Sequence, residues 1–400
     1  MSNLKNVLSS GKLRISYGQT GNASAMDGAI TFYKTGYEKV FGGQKIPGVY
    51  LNQIGNPDLR WETTSEWNLG LDLGFWDGRL TLTAEYFDKV ISDLLNSRSL
   101  MSYNEVTSIA ANIGKSQSRG FELTIGSDLV NNSDFSWNSN LTFSFYRDRW
   151  LERDPNWRSK IYEVYDGPIR PIYTYVSDGI IQPGDDVSHM PGAIPGQVNI
   201  VDRDSYLYKN GAIVTDEAGK PMLAGKPDGK IDDADMILLG SADPDFIGGW
   251  NNTFNYKNFD LTVYFYGQFG VWNNGSYFRT WLSSGADIDR GINLPNSIKE
   301  TWSHDNMDAK YPTMLSSSSA LGTGDMFWKK IWFIRCRNIT IGYTLPKKWS
   351  DKWCSNFRIY ADINNPFVIT PYDGLDPETD NASTIYPNTR GFNIGLEVAF

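Results

Sequence analysis

The chain has 400 residues and a formal net charge of -9 at pH 7, and 14% of its residues are aromatic. The acidic balance argues against nucleic acid as a partner, because phosphates are bound by clustered Lys and Arg. No apolar run approaches the ~18 residues of a transmembrane helix, which excludes a helical membrane protein. A membrane β-barrel stays open, since its strands alternate apolar and polar residues.

Histidine and cysteine are scarce, with two of each in the chain. Imidazole-based catalysis and a zinc site are therefore not expected, and a disulfide scaffold is excluded. A single disulfide between Cys336 and Cys354 is left open. No nucleophile elbow, zinc-protease helix motif or phosphate-binding loop occurs, and neighbouring carboxylates such as Asp185 and Asp186 do not have the spacing of a hydrolytic pair. We predict that the protein is not an enzyme and has no catalytic residues.

Strands with a two-residue apolar period follow one another along the chain. In order they are KLRISYGQ (12–19), WNLGLDLGF (67–75), LTLTAEYF (80–87), GFELTIG (120–126), FSWNSNLTFSFY (135–146), a pair within 248–270, NITIGYTLP (338–346), NFRIYADIN (356–364) and GFNIGLEVAF (391–400). This period places apolar side chains on one face of a strand and polar ones on the other. The pattern predicts an all-β, antiparallel fold of about ten strands joined in hairpins.

The connections between these strands alternate in length. Short turns are predicted near 76–78, 129–134, 257–258 and 346–354, and long connections at 19–61, 93–116, 149–245, 271–326 and 365–388. A compact soluble domain has few loops beyond ~15 residues. Short turns on one side and long loops on the other are typical of an outer-membrane barrel.

Aromatic residues gather where the strands should leave the apolar band. They include Phe75, Trp76, Tyr256, Phe259, Tyr343 and Trp349 at the short turns, and Trp150, Trp272 and Trp328 toward the long connections. Aromatic rings of this kind form girdles at the two membrane surfaces. A large soluble β-sandwich with a Trp-rich core is the alternative, but it explains the period and not the loop asymmetry.

Several stretches, in order, resemble the C-terminal half of the SusC/RagA family of TonB-dependent outer-membrane transporters of Bacteroidetes. They are LRISYGQTGN (13–22), NPDLRWETTSEWNLGLDLGFWDGRLTLTAEYFDK (56–89), SRGFELTIG (118–126), DGKIDDADMILLGSADPDFIGGWNNTFNYKNFDL (228–261), IRCRNITIGYTLP (334–346) and the terminal strand. The resemblance implies that residues 1–400 supply about ten strands of a transmembrane barrel of about 22 strands. The plug domain and the first half of the barrel would then lie outside this chain.

The same resemblance implies a function and partners. The family imports nutrients, either glycans (oligosaccharides) or peptides, across the cell outer membrane with a SusD-like lipoprotein, driven by TonB, and its barrel contacts outer-membrane lipid. An outer-membrane porin or adhesin, whose loops bind ligands without energy coupling, is the alternative. Loop aromatics such as Trp272, Tyr277, Phe278 and Trp281 could stack on sugar rings or pack the loop itself, so ligand-binding residues are not assigned.

An acidic stretch, KPDGKIDDAD (226–235), is similar to part of a calcium-binding loop. Counting Gly229 as the sixth position of an EF-hand loop puts oxygen ligands at Asp228, the Lys230 carbonyl, Asp232 and Asp235. The first positions would be Ala224 and Lys226, which cannot serve.

The missing half of this motif is found upstream. Family members carry the motif unbroken, and VDRD (201–204) is similar to its front half. We therefore predict that 205–227 is an insertion and that Asp202 and Asp204 rejoin the later aspartates around a structural Ca²⁺. An acidic turn without a metal is the alternative.

Two arginines, Arg335 and Arg337, share the sequence parity of Ile339 and Ile341. An unbroken strand register would turn both toward lipid, which is costly at depth. Either a β-bulge or a position at the extracellular rim would resolve this conflict.

Overall fold

The computed structural model describes residues 7–24, 26–101, 103–154, 163, 167–217, 220–275, 291, 293–294, 296–314, 321–350, 353–379 and 386–400. The strands are β1 (Leu8–Asn22), β2 (Phe32–Phe41), β3 (Gln44–Gln53), β4 (Glu62–Phe75), β5 (Leu80–Ser92), β6 (Leu95–Ser99), β7 (Ser108–Asn112), β8 (Lys115–Asn131), β9 (Phe135–Glu152), β10 (Pro171–Thr174), β11 (Ser177–Ile180), β12 (Val198–Ile200), β13 (Tyr208–Lys209), β14 (Ala212–Ile213), β15 (Ile237–Ser241), β16 (Phe246–Tyr256), β17 (Phe259–Asn273), β18 (Lys329–Thr344), β19 (Asn356–Ile369) and β20 (Gly391–Ala399).

Helical structure is limited to single turns within the described ranges. One short helix, α1, spans Lys347–Ser350, and 3-10 turns span Met26–Ala29, Asp233–Asp235 and Asn296–Glu300. None of the helices in the described part of the chain has the length and apolar character needed to cross a membrane.

Ten strands form one antiparallel sheet in the order β1-β4-β5-β8-β9-β16-β17-β18-β19-β20. The predicted number of strands and the predicted hairpins are confirmed. The first strand, predicted at 12–19, is longer in the structure, because β1 pairs with β4 from Leu8 to Asn22. Its polar ends, LSSG and QTGN, have weak strand propensity, and the hydrogen-bond ladder with β4 extends them.

The predicted asymmetry of the connections is also confirmed. On one side of the sheet the strands are joined by turns at 76–79, 132–134, 257–258 and 345–355. Three connections on the other side, those between β1 and β4, between β5 and β8 and between β9 and β16, carry small sheets of their own, namely β2-β3, β6-β7, β10-β15, β11-β12 and β13-β14. These connections are therefore folded structures built on one side of the large sheet.

One face of the large sheet is apolar and uncovered. The register aligns Leu71 with Leu13 and Ala84, and Leu123 with Ala84 and Phe143. Large side chains on this face stay exposed, for example Leu13 at 64%. The last strand continues the face with Phe392, Ile394 and Leu396 exposed at 73%, 84% and 62%. A soluble β-sandwich buries such a face against a second sheet, so this arrangement contradicts the sandwich alternative.

Dry packing is found in the connections instead. Ile181, Met190, Val198 and Ile200 form a buried cluster in the segment between β9 and β16. Tyr311 and Phe327 form a second one in the segment between β17 and β18. The hydrophobic effect stabilises these segments as it stabilises a domain in water.

Candidate functional site

The two halves of the acidic stretch lie together. The Asp202 carboxylate accepts hydrogen bonds from the backbone amides of Asp228, at 3.3 Å, and Gly229, at 2.6 Å. The Asp204 Oδ1 atom accepts from the amide of Gly225 at 2.7 Å. Between the two halves, the intervening residues form the β13-β14 hairpin and a bridge from Tyr206 to Leu223. The two ends of the segment 205–227 therefore lie side by side at the acidic loop.

Asp235 is the buried centre of this loop, with none of its surface exposed. Its Oδ1 atom accepts from the amides of Arg203, at 2.6 Å, and Asp204, at 3.1 Å, while Oδ2 accepts from the amide of Asp232 at 2.8 Å. Asp232 in turn accepts from the Ala234 amide at 2.8 Å and caps the 3-10 turn. A buried carboxylate satisfied by several amides fixes the backbone around it.

In this structure the carboxylates of the predicted calcium site accept hydrogen bonds from backbone amides. Asp228 also accepts from the amide of Lys230, at 3.1 Å. Burial raises the pKa of Asp232, and the charges of Asp235, Asp228 and Asp233 raise it further. In the described ranges, no three acidic, His or Cys side chains are grouped so as to hold a metal ion. This arrangement does not fit a calcium cage, and the calcium site stays a prediction.

A β-bulge decides the direction of the two arginines. The register of β18 with β19 shifts between Cys336 and Asn338, so that Arg337 lies in the bulge. Arg335 then pairs with Tyr266 and Val368, on the polar side of the sheet. Of the two resolutions that the sequence allowed, the bulge is the one the structure shows.

Both arginines bind the connection between β19 and β20. The Arg335 guanidinium lies 2.7 Å from Asp376 and 3.0 Å from Glu378, and Arg337 is hydrogen-bonded to Glu378. Burial by itself would raise the pKa of Asp376, but the Glu378 amide and the Arg335 charge outweigh it and lower the pKa. We call Arg335, Arg337, Asp376 and Glu378 the arginine clamp, since they fasten a long connection to the sheet.

Further ion pairs line the polar face of the sheet. Arg14 lies 2.7 Å from Asp72 and also binds Glu85 on the next strand. Arg358 lies 2.6 Å from Asp260. These pairs join strands that are not sequence neighbours, and they show that charge collects on the face opposite the apolar one.

Other predicted residues are placed as follows. Cys336 and Cys354 are both buried and unpaired, so the disulfide left open by the sequence is absent. Trp272 lies near the end of β17, opposite Lys330. Tyr277, Phe278 and Trp281 lie outside the described residues.

An extended antiparallel sheet with one uncovered apolar face and one charged face is the wall of a membrane β-barrel. A family model described as "TonB dependent receptor-like, beta-barrel" matches residues 5–193. This stretch is just under half of the chain, and the match confirms the resemblance that the sequence predicted.

Relatives agree with this assignment. The chain is 28% identical to TonB-dependent receptor P3 of Formosa agariphila, over 99% of this chain and 40% of the relative. It is 27% identical to TonB-dependent receptor SusC of Bacteroides thetaiotaomicron, over 99% of this chain and 38% of the relative. The chain thus spans about 40% of the length of the curated relatives it matches.

The fold is also found among solved structures. A structure of the RagAB peptide transporter superposes with a TM-score of 0.74 and 21% identity, covering 99% of this chain and 41% of that chain. The RagAB peptide importer in its "closed-closed" state gives 0.75 at the same identity. The ten-stranded sheet and its long connections therefore follow an architecture that is known in outline.

Proposed function

We propose that this chain is part of a TonB-dependent importer that carries a nutrient, either an oligosaccharide or a peptide, across the outer membrane together with a SusD-like lipoprotein. The observation that carries the proposal is the uncovered apolar face, on which residues such as Leu13 and Ile394 are 64% and 84% exposed. Lipid is the environment in which such a face is stable.

The names of the relatives support TonB as the energy source and a nutrient such as a peptide as the cargo. Their names describe TonB-dependent receptors, SusC among them, and the RagAB assembly is called a peptide transporter. The long connections suit ligand capture, because binding residues in barrels lie on loops held by a rigid scaffold. A lipoprotein lid over these connections would complete a closed compartment for the cargo.

The test is uptake by cells that produce the full-length receptor and its neighbouring lipoprotein. We expect uptake of a labelled oligosaccharide or peptide mixture, and we expect loss of that uptake when the receptor gene or the TonB gene is deleted. A deletion strain complemented with the receptor serves as the control. Uptake that stays at the wild-type level without the receptor would refute the proposal.

A porin or adhesin is the competing function. A porin would give uptake that continues after TonB is removed or the proton gradient is dissipated, and an adhesin would bind ligand without uptake. Fractionation adds a second readout, since the importer must be recovered in the outer membrane and require detergent for extraction.

A further inference from the structure

The apolar face of the sheet ends in positive charge on the side of the long connections. An aromatic row closes this face on β5, β8 and β9, and its exposed members are Tyr86, Phe121 and Phe145. The next row on the same face, two residues farther along each strand, is Asp88, Arg119 and Arg147. No register shift separates the two rows, so the charged side chains point outward as the aromatic ones do.

Two arginines of this row face each other across neighbouring strands. Arg119 on β8 pairs directly with Arg147 on β9, and like charges at directly opposite positions repel each other. Arg147 Cζ lies 4.6 Å from the centre of the outward Phe145 ring. Arg119 is exposed, and among the described residues its guanidinium has no ion-pair or hydrogen-bond partner. The repulsion is therefore not relieved at Arg119.

A carboxylate beside the row, that of Asp245, is shared by two cations. It lies 3.0 Å from the Arg147 guanidinium and 2.6 Å from Lys330 Nζ on β18. The three side chains are 40% to 47% exposed, so they stay open to the surroundings of the sheet. One carboxylate between two cations leaves one positive charge.

The other carboxylate, that of Asp88, lies opposite Arg119 on β5, yet the described residues show no ion pair between them. Both Asp88 oxygens accept instead from the Gln117 side-chain amide, at 2.8 and 2.9 Å, and Gln117 accepts from Arg149 Nε at 3.0 Å. Four cations thus face two carboxylates, and two positive charges remain when each carboxylate neutralises one cation. We call these six side chains the basic rim, namely Arg119, Arg147, Arg149, Lys330, Asp88 and Asp245.

We propose that the basic rim binds the phosphate groups of a lipid in the outer leaflet of the membrane. The rim continues the lipid-facing side of the sheet at the end where the long connections leave, and long loops lie on the extracellular side of outer-membrane barrels. Guanidinium groups bind phosphate oxygens with a matching fork of donors, and basic residues at a membrane surface attract anionic headgroups. A phosphate between Arg119 and Arg147 relieves their repulsion, while the acyl chains lie along the apolar face.

The probe is diphosphorylated lipid A, titrated into the purified full-length receptor in detergent and followed by native mass spectrometry. Lipid A from which the phosphates have been removed should bind at least about tenfold more weakly, because it keeps the acyl chains and lacks the anion. An excess of inorganic phosphate forms the second arm. It should not displace lipid A, since it has no acyl chains to add apolar affinity.

Two substitutions in the basic rim should have opposite effects. Arg119→Gln removes the unpaired guanidinium and should weaken binding of lipid A about fivefold, whereas Asp245→Asn removes the shared carboxylate and should tighten binding about threefold. Arg79→Gln changes an exposed arginine at the short turn before β5, on the opposite side of the sheet, and is the matched control. It should leave binding unchanged. Heat-modifiable migration on gels verifies that each variant is folded.

The proposal is overturned if lipid A binds equally well without its phosphates, or if Arg119→Gln and Arg79→Gln weaken binding to the same extent. Displacement of lipid A by inorganic phosphate would mean that the rim holds a free ion and not a lipid. The proposal rests on the outer-membrane location in the proposed function and not on import. Loss of TonB dependence in the uptake assay would therefore leave lipid binding by the purified receptor unchanged, whereas uptake without selective lipid binding would retain the importer and remove this site.

Discussion

The ten-stranded sheet and the connection between β9 and β16 use apolar side chains in opposite ways. On the sheet they point outward, and Ile394 is 84% exposed. In the connection they are packed together, and Val198 and Ile200 are 0% exposed. The difference shows that one chain is built for two solvents, with lipid against the sheet and water around the connections.

The arginine clamp joins the sheet to another long connection, the one between β19 and β20, and breaking it should give the largest effect. Arg335→Ala leaves Asp376 without its cation, while Glu378 keeps Arg337, in a site where the Arg335 and Asp376 side chains are only 4% and 5% exposed. We expect the 370–379 segment to lose about 3–5 kcal/mol of local stability. Hydrogen exchange of the full-length protein measures this change.

Arg147→Ala is the matched control for the clamp. Arg147 and Asp245 form a pair whose side chains are 47% and 40% exposed, so its loss should cost no more than about 1 kcal/mol. Equal exchange rates in both variants would show that the clamp does not hold the connection.

A charge placed on either face of one strand tests the outward direction of the apolar face. Leu123→Arg puts a cation among apolar neighbours and should destabilise the barrel by about 2–4 kcal/mol in the membrane. Thr124→Arg, one residue along β8 and on the polar face, should have little effect. Heat-modifiable migration on gels reports the folded fraction, and similar losses for both variants would contradict the assignment of the faces.

Calcium tests whether the acidic loop is more than a backbone scaffold. If the predicted site forms, calcium at about 100 times its dissociation constant should stabilise the full-length protein by about 2.7 kcal/mol. Asp228→Ala should abolish the stabilisation, while Asp305→Ala, on another connection, should keep it. A flat calcium titration of the melting temperature would remove the site.

An Ile→Val substitution made both in the sheet and in the connection between β9 and β16 compares the two regions directly, and its expected effects on stability are the smallest. Ile200→Val shortens a fully buried side chain and should cost about 1 kcal/mol locally. Ile394→Val shortens a side chain that faces lipid and should cost less than about 0.5 kcal/mol. Protease sensitivity of the 198–200 region and heat modifiability of the barrel measure the two effects. A larger cost at Ile394 would mean that this side chain is packed against protein.

Local patterns were sufficient for much of the fold. The alternation in WNLGLDLGF assigned Leu69, Leu71 and Leu73 to one face, and the observed register agrees. The lengths of the connections, counted along the chain, gave the two unequal sides of the sheet. Both properties are local, because a strand's faces follow from its period and a hairpin's turn from its own residues.

The sites depended on contacts that no local pattern contains. The sequence suggested that VDRD and the later aspartates come together. It did not show that Asp235 would accept hydrogen bonds from the backbone amides of Arg203 and Asp204, which are 32 and 31 residues away. The ends of β1 were missed because pairing with β4 creates them.

The sequence by itself therefore determined the amphipathic strands, their hairpins and the fact that they form the wall of a β-barrel, because a two-residue period is a property of the local chain. Only the tertiary structure decided that a bulge at Arg337 turns Arg335 toward the polar face, where it meets Asp376. Register shifts and contacts between distant connections depend on the relative positions of whole strands. Those positions are fixed by the assembled sheet and not by any one segment.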